Sequence, residues 1–428
     1  DSSVAILYSD QPHYLVAQRY AIYDGHGWSS GVQETFETPS SGSASAPSLT
    51  FLPNDHVFLS NGVLDGRQLV SGNVTILAPK GDRLLTIETY LSSSDLTNVS
   101  MSWRQLTNEP FPVQAGKVDD LPVELRPLVD LLRQVTMERN ANGDFVISDT
   151  NLAHRLELLL NDLKSRYLTV AFGPDATGRI ETVYVTGQLP VYDDIDAVTV
   201  NGTLSVGDQY QVTGLQSDAN VDELNGAGTD YPAYVTGRYL QLPDTVTQRT
   251  RDLATTAANG ATTPYQIAEN IQNFLRATYP YDEKISGPGS KDDAVDYFLF
   301  DEQRGYCEYF ASAMVVMLRS QGVPARIAAG YRQVDFDQSA NGYLYTEKQA
   351  HTWVEIFFPG YCLVPFEPTP AASTLDHAND VANTPETPQP TPTAVPDMAV
   401  TAEASPTAPL PAATNDQPAT PSGDSGWG

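Results

Sequence analysis

Up to about residue 112 the apolar residues come in short runs separated by turn residues, a pattern of strands rather than helices. Residues 14–23 form one such run, closed by Asp24-Gly25-His26-Gly27 before Trp28, and 74–77 and 84–90 form others. Between about 118 and 167 the period becomes helical: Leu125, Leu128, Leu131 and Leu132 share one face, as do Leu152, Leu156, Leu159, Leu160 and Leu163. Strand patterning returns at 168–172, 182–185 and 210–213. The first 238 residues are therefore predicted to form a mainly β, sandwich-like domain with a two-helix insertion at about 118–167.

After residue 238 the pattern mixes helices and strands. Residues 244–259 read as a helix, and Thr263-Pro264 opens another with a capping hydroxyl and a first-turn proline. Ile267, Ile271, Phe274 and Leu275 form its apolar stripe. A short apolar segment at 294–300 precedes Cys307, which is followed by an apolar helical run at 311–318. Gly322-Val323-Pro324 stops that helix. Residues 327–334 and 343–358 then read as strands, and Pro359-Gly360 turns the chain into an antiparallel return at 361–367. An α+β unit is predicted over 239–370. Residues 371–428 hold ten prolines and no Lys or Arg. Such a composition cannot bury a core, and it predicts a disordered, extended Pro/Thr-rich spacer.

A length of 428 residues fits two or three domains. The net charge of −29 excludes generic nucleic-acid binding and docking on anionic lipid through a basic patch. No run of about 18 apolar residues is present, so no membrane span is expected within this chain. The chain opens at Asp1 without a signal-peptide pattern, and we read it as an excised or processed segment whose membrane attachment, if any, lies elsewhere. No Cys/His cluster has zinc spacing and no acidic run fits an EF-hand loop, so neither metal nor cofactor is expected. A calcium-dependent adhesion module would rest on acidity alone.

Two cysteines give no disulfide framework. Cys307 stands at the start of an apolar helix, where free amide donors and the helix dipole favour a thiolate. Downstream lie His351 and Glu367, and the order Cys, His, acid points to covalent acyl transfer. If the hairpin centres on Pro359, His351 and Glu367 face one another with Cβ atoms about 5 Å apart. Alternation then puts Cys362 with Val354, Ile356, Val364 and Phe366 on the apolar face, as a small buried hydrophobe rather than a partner for Cys307. His351 would act as base, Glu367 would orient it, and the Cys307 N–H would donate to an oxyanion. No second oxyanion donor is assigned. His13, His26, His56, His154 and His377 lack comparable neighbours.

Gly305-Tyr306-Cys307-Glu308-Tyr309-Phe310-Ala311, Met317 through Arg326 and Gly330-Tyr331 together resemble the transglutaminase-like core. So do Ala350-His351-Thr352-Trp353-Val354-Glu355 and the segment from Pro359 through Pro370. The blocks keep the family's order over about 265–370. The bacterial membrane-anchored subgroup is the most similar, in which an extracytoplasmic β domain precedes the core and a Pro-rich linker leads to a final membrane helix. The resemblance implies a papain-like α+β core, Cys307 as nucleophile, His351 as base, Glu367 in the third place, and a protein or peptide amide substrate outside the cytoplasm. Two positions depart from the family pattern: Glu367 stands where Asp is usual, and Cys362-Leu363 follows Pro-Gly-Tyr where Gly-Trp is frequent. The alternative function is a catalytically silent scaffold that binds peptide in the same cleft.

Overall fold

The alternating strands of the first 217 residues build two facing antiparallel sheets. One has the spatial order Thr89–Ser93, Gln209–Ser217, Arg67–Ile76, Ser3–Tyr8, Gly342–Thr346 and Phe336–Asp337. The other is dominated by the long ribbon of Thr97–Pro112 against Thr182–Leu204, flanked by Leu168–Phe172 and Leu49–Phe51. Along Arg67–Ile76 every second residue from Val70 is buried, and Val74 and Ile76 share a core with Val99, Met101, Ile195 and Val198. That alternation is the physical basis of a sandwich. The computed structural model describes residues 2–375 apart from 31–35, 39–41, 45–47, 58–65, 119–120, 167, 290–291, 371 and 374. Residues 376–428, nearly all of the predicted spacer, lie outside the described residues.

The inserted helices form Arg126–Leu132 and Thr150–Ser165. Asp149 caps the second by accepting from the Asn151 and Leu152 amides. Both pack on the far half of the long ribbon, where Leu128, Leu132, Leu156 and Leu163 meet Phe111, Val183 and Val185. The three longest of the later helices, Gln248–Ala258, Pro264–Thr278 and Cys307–Ser320, pack together beside a five-stranded sheet. Thr263 caps Pro264–Thr278 through the Gln266 amide, as its sequence predicts.

The five-stranded sheet departs from the sequence expectation in an informative way. Its order is Thr86–Ile87, Leu15–Tyr20, Ala325–Tyr331, Ala350–Phe358, Cys362–Phe366, all antiparallel. A strand from the first 20 residues thus lies at its heart, and Ser3–Tyr8 pairs with Gly342–Thr346 in the sandwich. The expected division near residue 238 is crossed by two sheets. The single strand predicted over 343–358 is also two, Gly342–Thr346 and Ala350–Phe358, in different sheets. Polar Glu347-Lys348-Gln349 forms a helical turn between them, closed by a capping box of Thr346 and Gln349.

A buried ionic network ties the sandwich to this sheet. Arg19 Nε donates to both Glu355 oxygens (3.1 and 3.0 Å), and Arg326 Nε donates to Glu355 Oε2 at 2.7 Å. Arg326 also pairs with Asp194, which accepts from the Tyr239 hydroxyl, while Arg238 pairs with Asp196 at 2.8 Å. Burial alone would raise the Glu355 carboxyl, but the Arg19 and Arg326 guanidiniums outweigh it and hold its pKa at about 2.

Candidate active site

Cys307 is the first residue of the helix Cys307–Ser320, whose residues Tyr309–Arg319 are buried almost without exception by polarity or face. An apolar helix of this kind must run through the middle of a core. Gly305 permits the entry: a Cβ there would stand 3.0 Å from Tyr309 Cβ and 3.2 Å from Phe298. No side chain caps the helix at Tyr306, an end suited to an anion, although the Tyr309 amide is already taken by the Tyr306 carbonyl. The far end is held by Arg319, which donates to the Ala325, Ala21 and Gln241 carbonyls. Trp28 braces the same helix, and Tyr23 holds Asp293, the cap of the short helix Ala294–Tyr297. Trp28 Nε1 donates to Ser312 Oγ at 2.9 Å, and the Tyr23 hydroxyl donates to Asp293 at 3.0 Å.

His351 enters from the strand Ala350–Phe358, opposite Gly330, where any Cβ would collide with the Leu15 carbonyl oxygen. Its Nε2 lies 2.6 Å from Glu367 Oε2, and the Cys307 side chain is close enough to help raise its pKa. With Nε2 engaged by the carboxylate, Nδ1 is left for the sulfur. The three sequence-predicted residues are therefore brought together, though not in the predicted register. The hairpin centres on Gly360, with Phe358 opposite Cys362 and Val354 opposite Phe366. Carrying that register outward sets Glu367 diagonal to His351 rather than directly opposite. The face is unchanged, because the shift is two residues, and the extra methylene of Glu supplies the longer reach.

Cys362 is the second correction. It is buried as expected, but its φ of 55° breaks the alternation. It packs with Phe357 and Leu363, on the other side from Val354 and Ile356. Its Sγ donates to Asp193 Oδ2 at 3.4 Å, and burial followed by the Asp193 charge pushes its thiol far up.

Glu367 is fixed from all sides. The Tyr14 hydroxyl donates to Oε2 at 3.1 Å, and the Thr369 amide donates to Oε1 at 2.9 Å. Its own amide donates to Gln272 Oε1 at 2.9 Å, and Arg276 donates to its carbonyl at 3.0 Å. Burial raises the Tyr14 phenol pKa, and the Glu367 charge raises it further, so Tyr14 stays a donor. None of these supports stood out in the sequence. Gln272 and Arg276 had one signal: they follow Ala268 at steps of four, as polar residues on or beside the buried stripe. Among the described residues no group of three or more His, Cys, Asp or Glu is placed to hold a metal ion.

Burial pulls the His351 imidazolium down, but hydrogen bonds and charges from Cys307 and Glu367 outweigh it and lift its pKa from 6.5 to about 9. The ring is thus a cation through neutral pH. Glu367→Gln removes one source of the upward shift, so the basic limb of the pH–rate profile should move from near 9 toward 6.5. The rate constant kcat/KM should fall about 100-fold or more as the ring loses its orienting acceptor. A limb that stays in place would show that Glu367 does not hold the imidazolium.

Residues 251–368 match the transglutaminase-like superfamily, and the chain accordingly carries a transglutaminase-like core within its mixed helix and strand fold. It is homologous to a protein-glutamine gamma-glutamyltransferase of Pseudomonas aeruginosa, with 35% identity over 133 residues, 31% of this chain and 20% of that protein. YebA of Bacillus subtilis (strain 168) is 39% identical over 138 residues, 31% of this chain and 19% of YebA. The aligned segments thus span about one fifth of each relative. The crystal structure of the periplasmic domain of TgpA from Pseudomonas aeruginosa bound to ethylmercury is similar over 86% of this chain and 89% of that one, with 17% identity and a TM-score of 0.42. Among the described residues no helix is long and apolar enough to cross a membrane.

Proposed function

We propose that the protein is a cysteine-dependent acyltransferase acting on protein or peptide amides. The observation that carries this reading is one imidazole held at 2.6 Å by the buried Glu367 carboxylate and perturbed by the Cys307 side chain, which opens an apolar helix. The Cys307 thiolate adds to an amide carbonyl, and the oxyanion that forms is met by the Cys307 amide. His351 gives its proton to the departing nitrogen, so that ammonia leaves and a thioester remains. His351, now neutral, takes a proton from an incoming amine or water as either attacks the thioester. The products are a cross-link or a carboxylate, and the thiol is restored. Glu367 keeps the ring in the required tautomer and orientation. We place this activity on the extracytoplasmic face of a bacterial membrane, with any anchor outside this chain, on the strength of the sequence resemblance to the membrane-anchored subgroup.

The test offers a glutamine-containing peptide with and without a labelled primary amine, and follows ammonia release and amine incorporation. We expect ammonia release in both cases, with an acyl-enzyme mass on Cys307 in rapidly quenched samples and none of these with Cys307→Ala. Ammonia release that persists in Cys307→Ala would contradict a thioester route.

A further inference from the structure

We propose that Arg332 forms a carboxylate-binding subsite beside Cys307, and that the acyl substrate carries a carboxylate close to its reacting amide. This rests on the acyl-transfer reading above and names the substrate class for that site. Arg332 lies one residue past the strand Ala325–Tyr331, and its amide donates to the Gln349 carbonyl at 2.9 Å. That bond continues the register in which Gly330 faces His351 and Tyr331 faces Ala350. Residues two apart on a strand share a face, so Arg332 belongs to the face that carries His351. On the neighbouring strand the pairs Gly330–Val16 and Tyr331–Leu15 bring Tyr14 alongside it. The Arg332 charge is felt at Tyr14, which holds Glu367, and at Tyr281, which also feels Cys307. The register thus sets Arg332 two residues along from Gly330, which faces His351, and alongside Tyr14.

Arg332 is half-buried, and its guanidinium makes no hydrogen bond or ion pair among the described residues. The contrast with the other arginines of this region is sharp. Arg19, Arg238 and Arg326 have carboxylate partners, and Arg276 and Arg319 hold backbone carbonyls. The chain has 53 acidic residues against 24 basic ones, so a free guanidinium beside the site does not reflect scarce partners. Nearby Asp337 turns back to its own loop, accepting from Ser339 and Ala340. A planar fork of donors without a protein acceptor is matched to a carboxylate. Tyr281, whose phenol feels the Arg332 charge, lines an open hollow of about 430 Å³ together with Pro280, Tyr279, Arg276 and Pro370.

The test compares alkylation of Cys307 by iodoacetate, an anion, with alkylation by neutral iodoacetamide, in wild type, Arg332→Gln and Arg332→Lys. The ratio of the two rates cancels any change in thiolate content, and an unmodified Cys362 reports an intact fold. We expect the ratio to fall about five- to tenfold in Arg332→Gln at low ionic strength, to be largely kept in Arg332→Lys, and to fall with added salt in wild type. Turnover of N-acetyl-Gln-Gly with a free carboxylate, its C-terminal amide, and N-acetyl-Gln-Asp-amide completes the test. Wild type should favour one or both carboxylate peptides about tenfold in kcat/KM, with the favoured one locating the carboxylate, and Arg332→Gln should lose the preference. A ratio in Arg332→Gln equal to that of wild type, or equal turnover of all three peptides, overturns the subsite. No turnover of any peptide, with the alkylation ratio still dependent on Arg332, overturns the acyl-transfer reading instead and leaves the anion site standing.

Discussion

His351→Ala lowers kcat/KM for amide acyl transfer by about 10⁴-fold. In the proposed mechanism the ring serves both half-reactions, protonating the leaving nitrogen and then deprotonating the amine or water. It also supplies the cation that stabilises the sulfur anion, with its pKa lifted to about 9. The substitution truncates a buried side chain, so the assay belongs well below the melting temperature of the variant. Added imidazole should restore part of the rate, which a merely unfolded enzyme would not allow. A loss below tenfold would mean that another group handles the proton.

The second large effect is on stability. Glu355→Ala leaves Arg19 and Arg326 buried without the carboxylate that both donate to, and breaking such a pair from one side costs about 3–5 kcal/mol. For a unit of this size that is a fall of about 4–6 °C in melting temperature. The pH dependence follows from the sign of the shift. The folded pKa, about 2, lies below the ordinary glutamate value of 4.5, so the stabilisation is fully present above 4.5 and is lost as pH falls through 2. Melting curves of wild type and variant should therefore converge in strong acid. Equal melting temperatures at pH 7 would show the network to be energetically idle.

Much of the site was legible because its signals are local. The apolar helix after Cys307 and the parity of His351 and Glu367 across a short hairpin need only sequence spacing. The hairpin centre was misplaced by one residue, since Pro359-Gly360-Tyr361 admits either a tight turn or the longer one observed, and parity survives that error. Cys362 was misplaced for a different reason: a positive φ at the strand entrance is invisible to alternation. Tyr14 could not have been found this way. It reaches Glu367 across 353 positions, and nothing in its own strand says which sheet that strand will join. The same non-local pairing explains why the N-terminal strands were read as part of a separate sandwich while one of them lies inside the sheet that carries His351.

The central claim is that Cys307 and His351 act as a thiolate–imidazolium pair. Intact-mass measurement of iodoacetamide alkylation over pH 5–9, in wild type and His351→Ala, tests it directly. The pair predicts a single adduct on Cys307 that forms rapidly at pH 6 in wild type and only near the ordinary thiol range, about pH 8.5, in His351→Ala, with Cys362 unmodified in both. A wild-type Cys307 that reacts only near pH 8.5, with the same profile in His351→Ala, would contradict the account.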